Sequence, residues 1–144
     1  MASEEPSYSE ITQFDTPYPN NSSHTVNGDY NTLDIAEAFI KANITNPVVA
    51  SDIAAAAGVN IRALQRLFRK AYASTPTQVL LSTRVAVARE MILRGEARSV
   101  RQIAATLQFS NPSRFSKLYR KIYAHIPSQE IRERQTGDDG TMQD

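Results

Sequence analysis

An internal repeat restricts the possible folds of this chain more than any other feature. Residues 52–59 (DIAAAAGV) align with residues 102–109 (QIAATLQF) at an offset of 50. One extra residue in the following turn changes the offset to 51, at which residues 64–76 (LQRLFRKAYASTP) align with residues 115–127 (FSKLYRKIYAHIP). Two such stretches in register are not expected by chance, so the chain is predicted to fold as two copies of one supersecondary unit.

Each copy predicts a short helix, a tight turn and a longer helix. In the first copy, Gly58 ends the short helix and Asn60 precedes the longer one, at about 61–73. In the second copy, the longer helix at about 112–123 begins at Pro112. With helices at the two ends and one between the copies, the sequence predicts an all-α fold of about seven helices. Two helix-turn-helix subdomains are joined by a long central helix in this prediction.

Changes in composition suggest the boundaries of these parts. Residues 1–30 and 136–144 lack an apolar period and are rich in polar residues, which predicts a poorly ordered or disordered tail at each end, the second one acidic. Between the tails, we expect a first subdomain at 31–74, a linker helix at 75–95 and a second subdomain at 96–135.

The charged residues are segregated along the chain although the net charge is only +1. Residues 51–135 hold fifteen Arg or Lys against five acids, a balance of +10, whereas the rest of the chain amounts to −9. This separation is typical of a module that binds a polyanion and has acidic flanks. Charge alone leaves open a basic helical surface that is merely solvated.

Several classes of function find little support in the residues. The chain has no cysteine, no apolar run near the ~18–20 residues of a membrane span and no secretory signal, which fits a cytoplasmic protein. His24 and His125 lack an acidic pair, a Gly-rich phosphate loop or a nucleophile beside them. We therefore expect no enzyme, no metal site and no cofactor.

The two longer helices are the candidates for reading double-stranded DNA in the major groove. Apolar residues mark the buried side of each helix: Leu64, Leu67, Phe68 and Tyr72 in the first, and Phe115, Leu118, Tyr119 and Ile122 in the second. The outward side chains near the entry ends are predicted to read bases: Arg62, Gln65, Arg66, Ser113, Arg114 and Lys117. Those further along are predicted to contact phosphates: Arg69, Lys70, Arg120 and Lys121.

The central helix sets the predicted spacing between the two reading helices. About 18 helical residues span roughly 27 Å, and the widths of the flanking units bring the separation near the ~34 Å of one DNA turn. One monomer, or a weak dimer, is then expected to span two consecutive major grooves, with RNA polymerase as a possible further partner. The alternative is an interaction module on the same fold, which binds polymerase or another regulatory protein.

The motifs resemble those of the AraC/XylS family of bacterial transcription regulators over residues 31–134. They include LQRLFRK at 64–70, RVAVAREMIL at 84–93 and FSNPSRFSKLYRK at 109–121. The resemblance implies the same seven-helix fold and the same six base-reading positions. Longer members carry an additional N-terminal domain for an effector or for dimerisation, so this chain is either a short member or a fragment.

Some residues depart from the family's pattern or have two interpretations. Ala73, Ala124 and Gln108 stand where glycine is usual, and Val49 stands at a customary serine cap, which puts the local turn geometry in question. Arg84 and Arg89 of the central helix are equally compatible with phosphate contacts and with structural salt bridges. Three tyrosines of the reading helices could stack on bases, but their spacing favours core or boundary positions: Tyr72, Tyr119 and Tyr123.

Overall fold

The computed structural model describes the backbone of residues 20–143 and the side chains of residues 28–136. This part of the chain forms seven α-helices and contains no strand, which confirms the all-α prediction. The helices are α1 (Asn20–Ala42), α2 (Ala50–Ala57), α3 (Ile61–Tyr72), α4 (Pro76–Leu93), α5 (Val100–Thr106), α6 (Pro112–Tyr123) and α7 (Pro127–Gln143).

Side-chain caps mark where α3, α4 and α6 begin. Asn60 accepts a hydrogen bond from the backbone N–H of Ala63 at 2.8 Å, and Asn111 accepts one from Arg114 at 2.8 Å. At the start of α4, Thr75 and Gln78 form the reciprocal capping box expected from the sequence, with donor–acceptor distances of 3.1 and 3.0 Å. Local sequence therefore marks the starts of α3, α4 and α6.

The two terminal helices are longer than the sequence predicted. Residues 20–30 were expected to belong to a tail but form the first part of α1. Residues 136–143, expected to form the second tail, continue α7. Neither extension contains a proline, and adding residues to an existing helix is far easier than nucleating a new one. Residues 1–19 and 144 of the predicted tails lie outside the described residues.

The helices enclose two hydrophobic cores, one for each copy of the repeat. The first contains Ala36, Ile40, Ile53, Ala54, Leu64, Phe68 and Leu80. The second contains Val85, Ala88, Ile92, Ala97, Ile103, Ala104, Leu107, Phe115, Tyr119 and Ile131. The buried alanines Ala54 and Ala104 are equivalent in the repeat. Their small side chains let the short helix of each copy pack closely on its neighbours.

Helix α4 belongs to both cores. Leu80 near its start is buried in the first core, and Ala88 and Ile92 further along are buried in the second. Leu80 corresponds to Ile131 of α7 at the repeat offset of 51. Helix α4 is thus both the closing helix of the first unit and the opening helix of the second.

Three non-glycine residues adopt the left-handed backbone conformation at helix ends. Ala73 and Ala124 end α3 and α6 with φ of 54° and 59°, and Gln108 follows α5 with φ of 64°. At the position equivalent to Gln108, the first unit has Gly58 with φ of 75°. The turns therefore keep their geometry without glycine, although each such residue costs about 1–2 kcal/mol of backbone strain.

The predicted buried side of α6 is wrong at one position. Ile122 was expected in the core but is 41% exposed. Its equivalent in the first unit is Ala71, which is exposed as well. Tyr72 of α3, which was also expected on the buried side, is 37% exposed. Helical spacing alone therefore overestimated the width of the apolar face near the C-terminal end of both reading helices.

The N-terminus of α2 lacks a side-chain cap. Val49 occupies the cap position with 61% of its surface exposed. Its backbone N–H donates to Asp52 at 2.8 Å, but its side chain cannot accept a hydrogen bond from the first turn. We expect Val49→Ser to raise the free energy of unfolding by about 1 kcal/mol, because a serine oxygen can accept a bond from an unpaired N–H of the first turn. Urea denaturation followed by circular dichroism measures the change.

The second unit offers the matched control for this change. Ser99 occupies the equivalent cap of α5 and accepts a hydrogen bond from the Gln102 N–H at 3.0 Å. Ser99→Val should lower stability by a similar amount, about 1 kcal/mol. Equal effects of the same sign from both substitutions would contradict the capping explanation.

Candidate nucleic-acid interface

The outward sides of α3 and α6 carry the residues that the sequence predicted as DNA contacts. The burial of Leu64 and Phe68 in one helix, and of Phe115 and Tyr119 in the other, fixes which side of each helix faces solvent. All ten predicted contact residues are exposed: Arg62, Gln65, Arg66, Arg69, Lys70, Ser113, Arg114, Lys117, Arg120 and Lys121. We call these two sets the outer face of α3 and the outer face of α6.

Each outer face is strongly positive. Helices α3 and α6 carry four basic residues apiece and no acidic residue. The ion pairs among residues 28–136 are made by Arg89 of α4 and by Arg94, the residue that caps the end of α4. Within that part of the chain no carboxylate therefore neutralises the basic side chains of α3 or α6. Exposed cations without a protein partner are suited to phosphate, whose binding releases the counterions condensed on DNA.

The entry end of each reading helix exposes donors that suit base edges. Arginine can pair bidentately with guanine and glutamine with adenine, and Arg62, Gln65 and Arg66 lie within the first turns of α3. In α6, the cap is Asn111, so the exposed hydroxyl of Ser113 is not used to begin the helix. Both entry ends therefore present polar groups that the fold itself does not require.

Arg84 of α4 is a structural residue. Its side chain is buried, with 3% of its surface exposed, and its guanidinium donates to the backbone carbonyls of Asn46 at 2.6 Å and Asn43 at 3.5 Å. Burial lowers the pKa of this guanidinium from its ordinary value. The two carbonyls lie in the loop that follows α1, so Arg84 joins α4 to the end of α1 and cannot also contact phosphate.

Arg89 is structural too, within the second unit. It pairs with Glu130 of α7 at 3.1 Å, donates to the Tyr119 hydroxyl at 3.3 Å and lies 4.7 Å from the ring centre of Tyr123. Tyr119 also donates to Glu130. Burial, together with that carboxylate, raises the pKa of Tyr119 above its ordinary value. The network joins α4, α6 and α7 around the buried side of α6.

Sequence reasoning missed one contact between the two units. The Gln108 side-chain amide, in the turn after α5, donates to the backbone carbonyl of Thr45 in the loop after α1, at 3.0 Å. The sequence carried one signal of it, since glutamine stands where a glycine would adopt the left-handed conformation without strain. A backbone acceptor leaves no mark in the sequence, so its partner was not predictable.

Comparison with known proteins decides the family. A family model described as "Helix-turn-helix domain" matches residues 53–133, more than half of the chain. A crystal structure of an AraC-type DNA-binding-domain regulator from Chromobacterium violaceum is 30% identical, with a TM-score of 0.64, over 80% of this chain and 96% of that one. The chain belongs to the AraC/XylS family. The family resemblance seen in the sequence is thereby confirmed.

Other relatives agree with this assignment but are much longer. The HTH-type transcriptional regulator ArgR of Pseudomonas aeruginosa is 30% identical over 102 residues, which are 71% of this chain and 31% of that protein. CdhR from the same species is 37% identical over 84 residues, 58% of this chain and 25% of the relative. This AraC/XylS chain thus spans about a quarter to a third of the length of these curated relatives.

A solved complex supplies a further structural neighbour of this AraC/XylS chain. The DNA-binding domain of AdpA, described in complex with a target DNA, has a TM-score of 0.63 at 20% identity and covers 74% of this chain and 94% of that one. At this identity the likeness shows the shared fold. Within the described residues no group of three His, Cys, Asp or Glu is placed to hold a metal ion, and no helix has the length and apolarity to cross a membrane.

The structural role of Arg84 is testable against the exposed arginine that caps the same helix. Arg84→Ala should lower the free energy of unfolding by about 1–3 kcal/mol, because the end of α1 loses its charged donor. Arg94 is exposed and makes only surface ion pairs, so Arg94→Ala should change stability by less than about 1 kcal/mol. Urea denaturation compares the two. An Arg84→Ala protein with unchanged stability and weakened DNA binding would favour the phosphate interpretation instead.

Proposed function

We propose that this chain is the DNA-binding part of a bacterial transcription regulator and inserts α3 and α6 into consecutive major grooves. The observation that carries the proposal is the pair of equivalent helices, each with four exposed basic residues that have no carboxylate partner within the described part of the chain. Family membership supports it, and the AdpA structure describes a domain of this fold with its target DNA.

The proposed roles of the side chains follow their position along each helix. Arg62, Gln65 and Arg66 would read bases from α3. Ser113, Arg114 and Lys117 would do so from α6, because residues near the N-terminus of a reading helix reach base edges. The basic residues of the later turns would hold phosphates and fix the register on the duplex: Arg69, Lys70, Arg120 and Lys121.

The proposal requires only one copy of the chain. Helix α4 has 18 residues, about 27 Å at 1.5 Å per residue, and it lies between the two reading units. A monomer could then place both helices on one side of the duplex, near the ~34 Å repeat of successive major grooves. In this proposal the protein acts on DNA in the bacterial cytoplasm without a catalytic role, and RNA polymerase would be a partner of the DNA-bound form.

Salt dependence tests the proposal most directly. If the four basic residues of the later turns of α3 and α6 contact phosphates, the logarithm of the binding constant should fall with the logarithm of salt concentration with a slope of about −4. Gel retardation of duplex DNA at several salt concentrations measures it. A protein-interaction module on the same fold would not retard DNA at any salt concentration, and that result would reject the proposal.

Two substitutions separate base reading from phosphate contact. Arg66→Ala should weaken binding to a preferred site by about 1–3 kcal/mol and relax the preference at one base pair, because a bidentate contact is lost. Lys121→Ala should weaken binding to every sequence alike and reduce the salt slope by about 1. Preferred sites selected from random DNA, with competition against non-specific DNA, provide the measurement.

The control for both substitutions is Arg94→Ala, which removes one exposed positive charge just after α4 without touching either outer face. Its binding should differ little from that of the unsubstituted protein. If Arg66→Ala lowered affinity for preferred and random DNA equally, Arg66 would be a phosphate contact. If Lys121→Ala changed the base preference, the division of roles along α6 would be wrong.

A further inference from the structure

The loop between α1 and α2 contacts the first unit, helix α4 and the second unit. Ile44 packs against both hydrophobic cores, and the carbonyls of Asn43 and Asn46 accept hydrogen bonds from Arg84 of α4. The carbonyl of Thr45 accepts the hydrogen bond from Gln108 in the turn between α5 and α6. Residues 43–46 are therefore in contact with the helix-turn-helix of the second unit as well as with their own.

Among the residues that make these contacts, Gln108 lies in the turn that precedes a reading helix, α6. Its backbone is left-handed, with φ of 64°, and the next element along the chain is α6. The equivalent position of the first unit holds Gly58, where an added Cβ would meet no atom within 4 Å. Space therefore does not select glycine or glutamine at this turn. The glutamine is instead the only one of the two residues whose side chain can reach the other unit.

We propose that Gln108 is a positioning residue that fixes the orientation of the second helix-turn-helix relative to the first, and so selects the spacing between the two half-sites on DNA. The inference rests on the proposed function for its consequence on DNA. Its structural part, the restriction of one unit against the other, concerns the protein alone.

The physical reason is that the sharing of α4 by both units leaves bending and twisting of this helix weakly opposed. The second unit packs on the C-terminal half of α4 and the first on its N-terminal half, so bending or twisting of α4 changes the angle between α3 and α6. The Gln108–Thr45 hydrogen bond joins residues 63 positions apart and lies off the axis of α4, where it opposes such motion. A change in that angle alters the separation of the reading helices without altering their side chains.

The test uses Gln108→Asn, which shortens the side chain by one methylene. Asparagine tolerates the left-handed conformation but its amide cannot reach the Thr45 carbonyl. We expect the preference for the optimal half-site spacing over sites lengthened or shortened by one base pair to fall by about 2- to 10-fold, the range for one net hydrogen bond. Base preference within each half-site should not change. Gel retardation on a series of spacer lengths measures both.

Two further variants separate positioning from stability. Gln108→Gly removes the same bond but relieves the left-handed strain, so it should lose spacing selectivity while the protein stays at least as stable as with asparagine. Gln129→Asn shortens an exposed glutamine of α7 whose side-chain hydrogen bond is local, to Glu133, and it should leave spacing selectivity unchanged. Spacing profiles of Gln108→Asn and Gln108→Gly identical to that of the unsubstituted protein would overturn the inference.

A measurement without DNA distinguishes failure of this inference from failure of the proposed function. Because the chain has no cysteine, Ser51→Cys and Arg101→Cys can carry spin labels at two exposed, equivalent positions of the units. The distribution of distances between the labels should be broader in Gln108→Asn than in the otherwise unsubstituted labelled protein. An unchanged distribution would reject the positioning role even if DNA binding is normal, whereas a broadened one in a protein that never retards DNA would reject only the proposed function.

Discussion

The structure depends on the sharing of α4 between two hydrophobic cores. Leu80 completes the first core and Ile92 contributes to the second, so neither unit has a full set of buried contacts without this helix. The repeat explains why α4 is shared. Pro76 of α4 matches Pro127 of α7, while the buried pair Ala36 and Ile40 of α1 has counterparts in Ala88 and Ile92 of α4, at an offset of 52. One helix therefore performs two roles that separate helices perform at the ends of the chain.

This arrangement leaves the reading helices exposed. The neighbouring helices of each unit cover only one side of α3 and α6, so the opposite sides remain in solvent with their basic residues. Arginines that serve the fold lie elsewhere, on α4, where Arg84 binds backbone carbonyls and Arg89 pairs with Glu130. The chain thus separates cations that stabilise the protein from cations that are available to a polyanion, a division that supports the proposed function.

Most of this architecture could be predicted from the sequence because its determinants are local or periodic. Capping residues such as Asn60 and Asn111 place the reading helices, and the repeat gives the order of the units. The exposure of Ile122 was not predictable from helical spacing, which places it beside Leu118 and Tyr119 on the apolar side. Nor was the start of α1 predictable, since residues 20–30 have no apolar period. The role of Arg84 was equally hidden, because its acceptors are backbone carbonyls, which every residue has.

The differences between the two copies are then as informative as the repeat itself. Equivalent positions that have the same structural role carry similar residues. Phe68 and Tyr119 are an example, since both are buried. Gly58 and Gln108 occupy equivalent left-handed positions with different residues, although glycine adopts that conformation at lower cost. In the second copy the strained residue donates a hydrogen bond to the backbone carbonyl of Thr45 in the first unit. Ala73 and Ala124 hold the same left-handed conformation, so strain alone does not distinguish Gln108 from them. What distinguishes Gln108 is its hydrogen bond to a loop of the other unit, and that contact is the observation on which its positioning role rests.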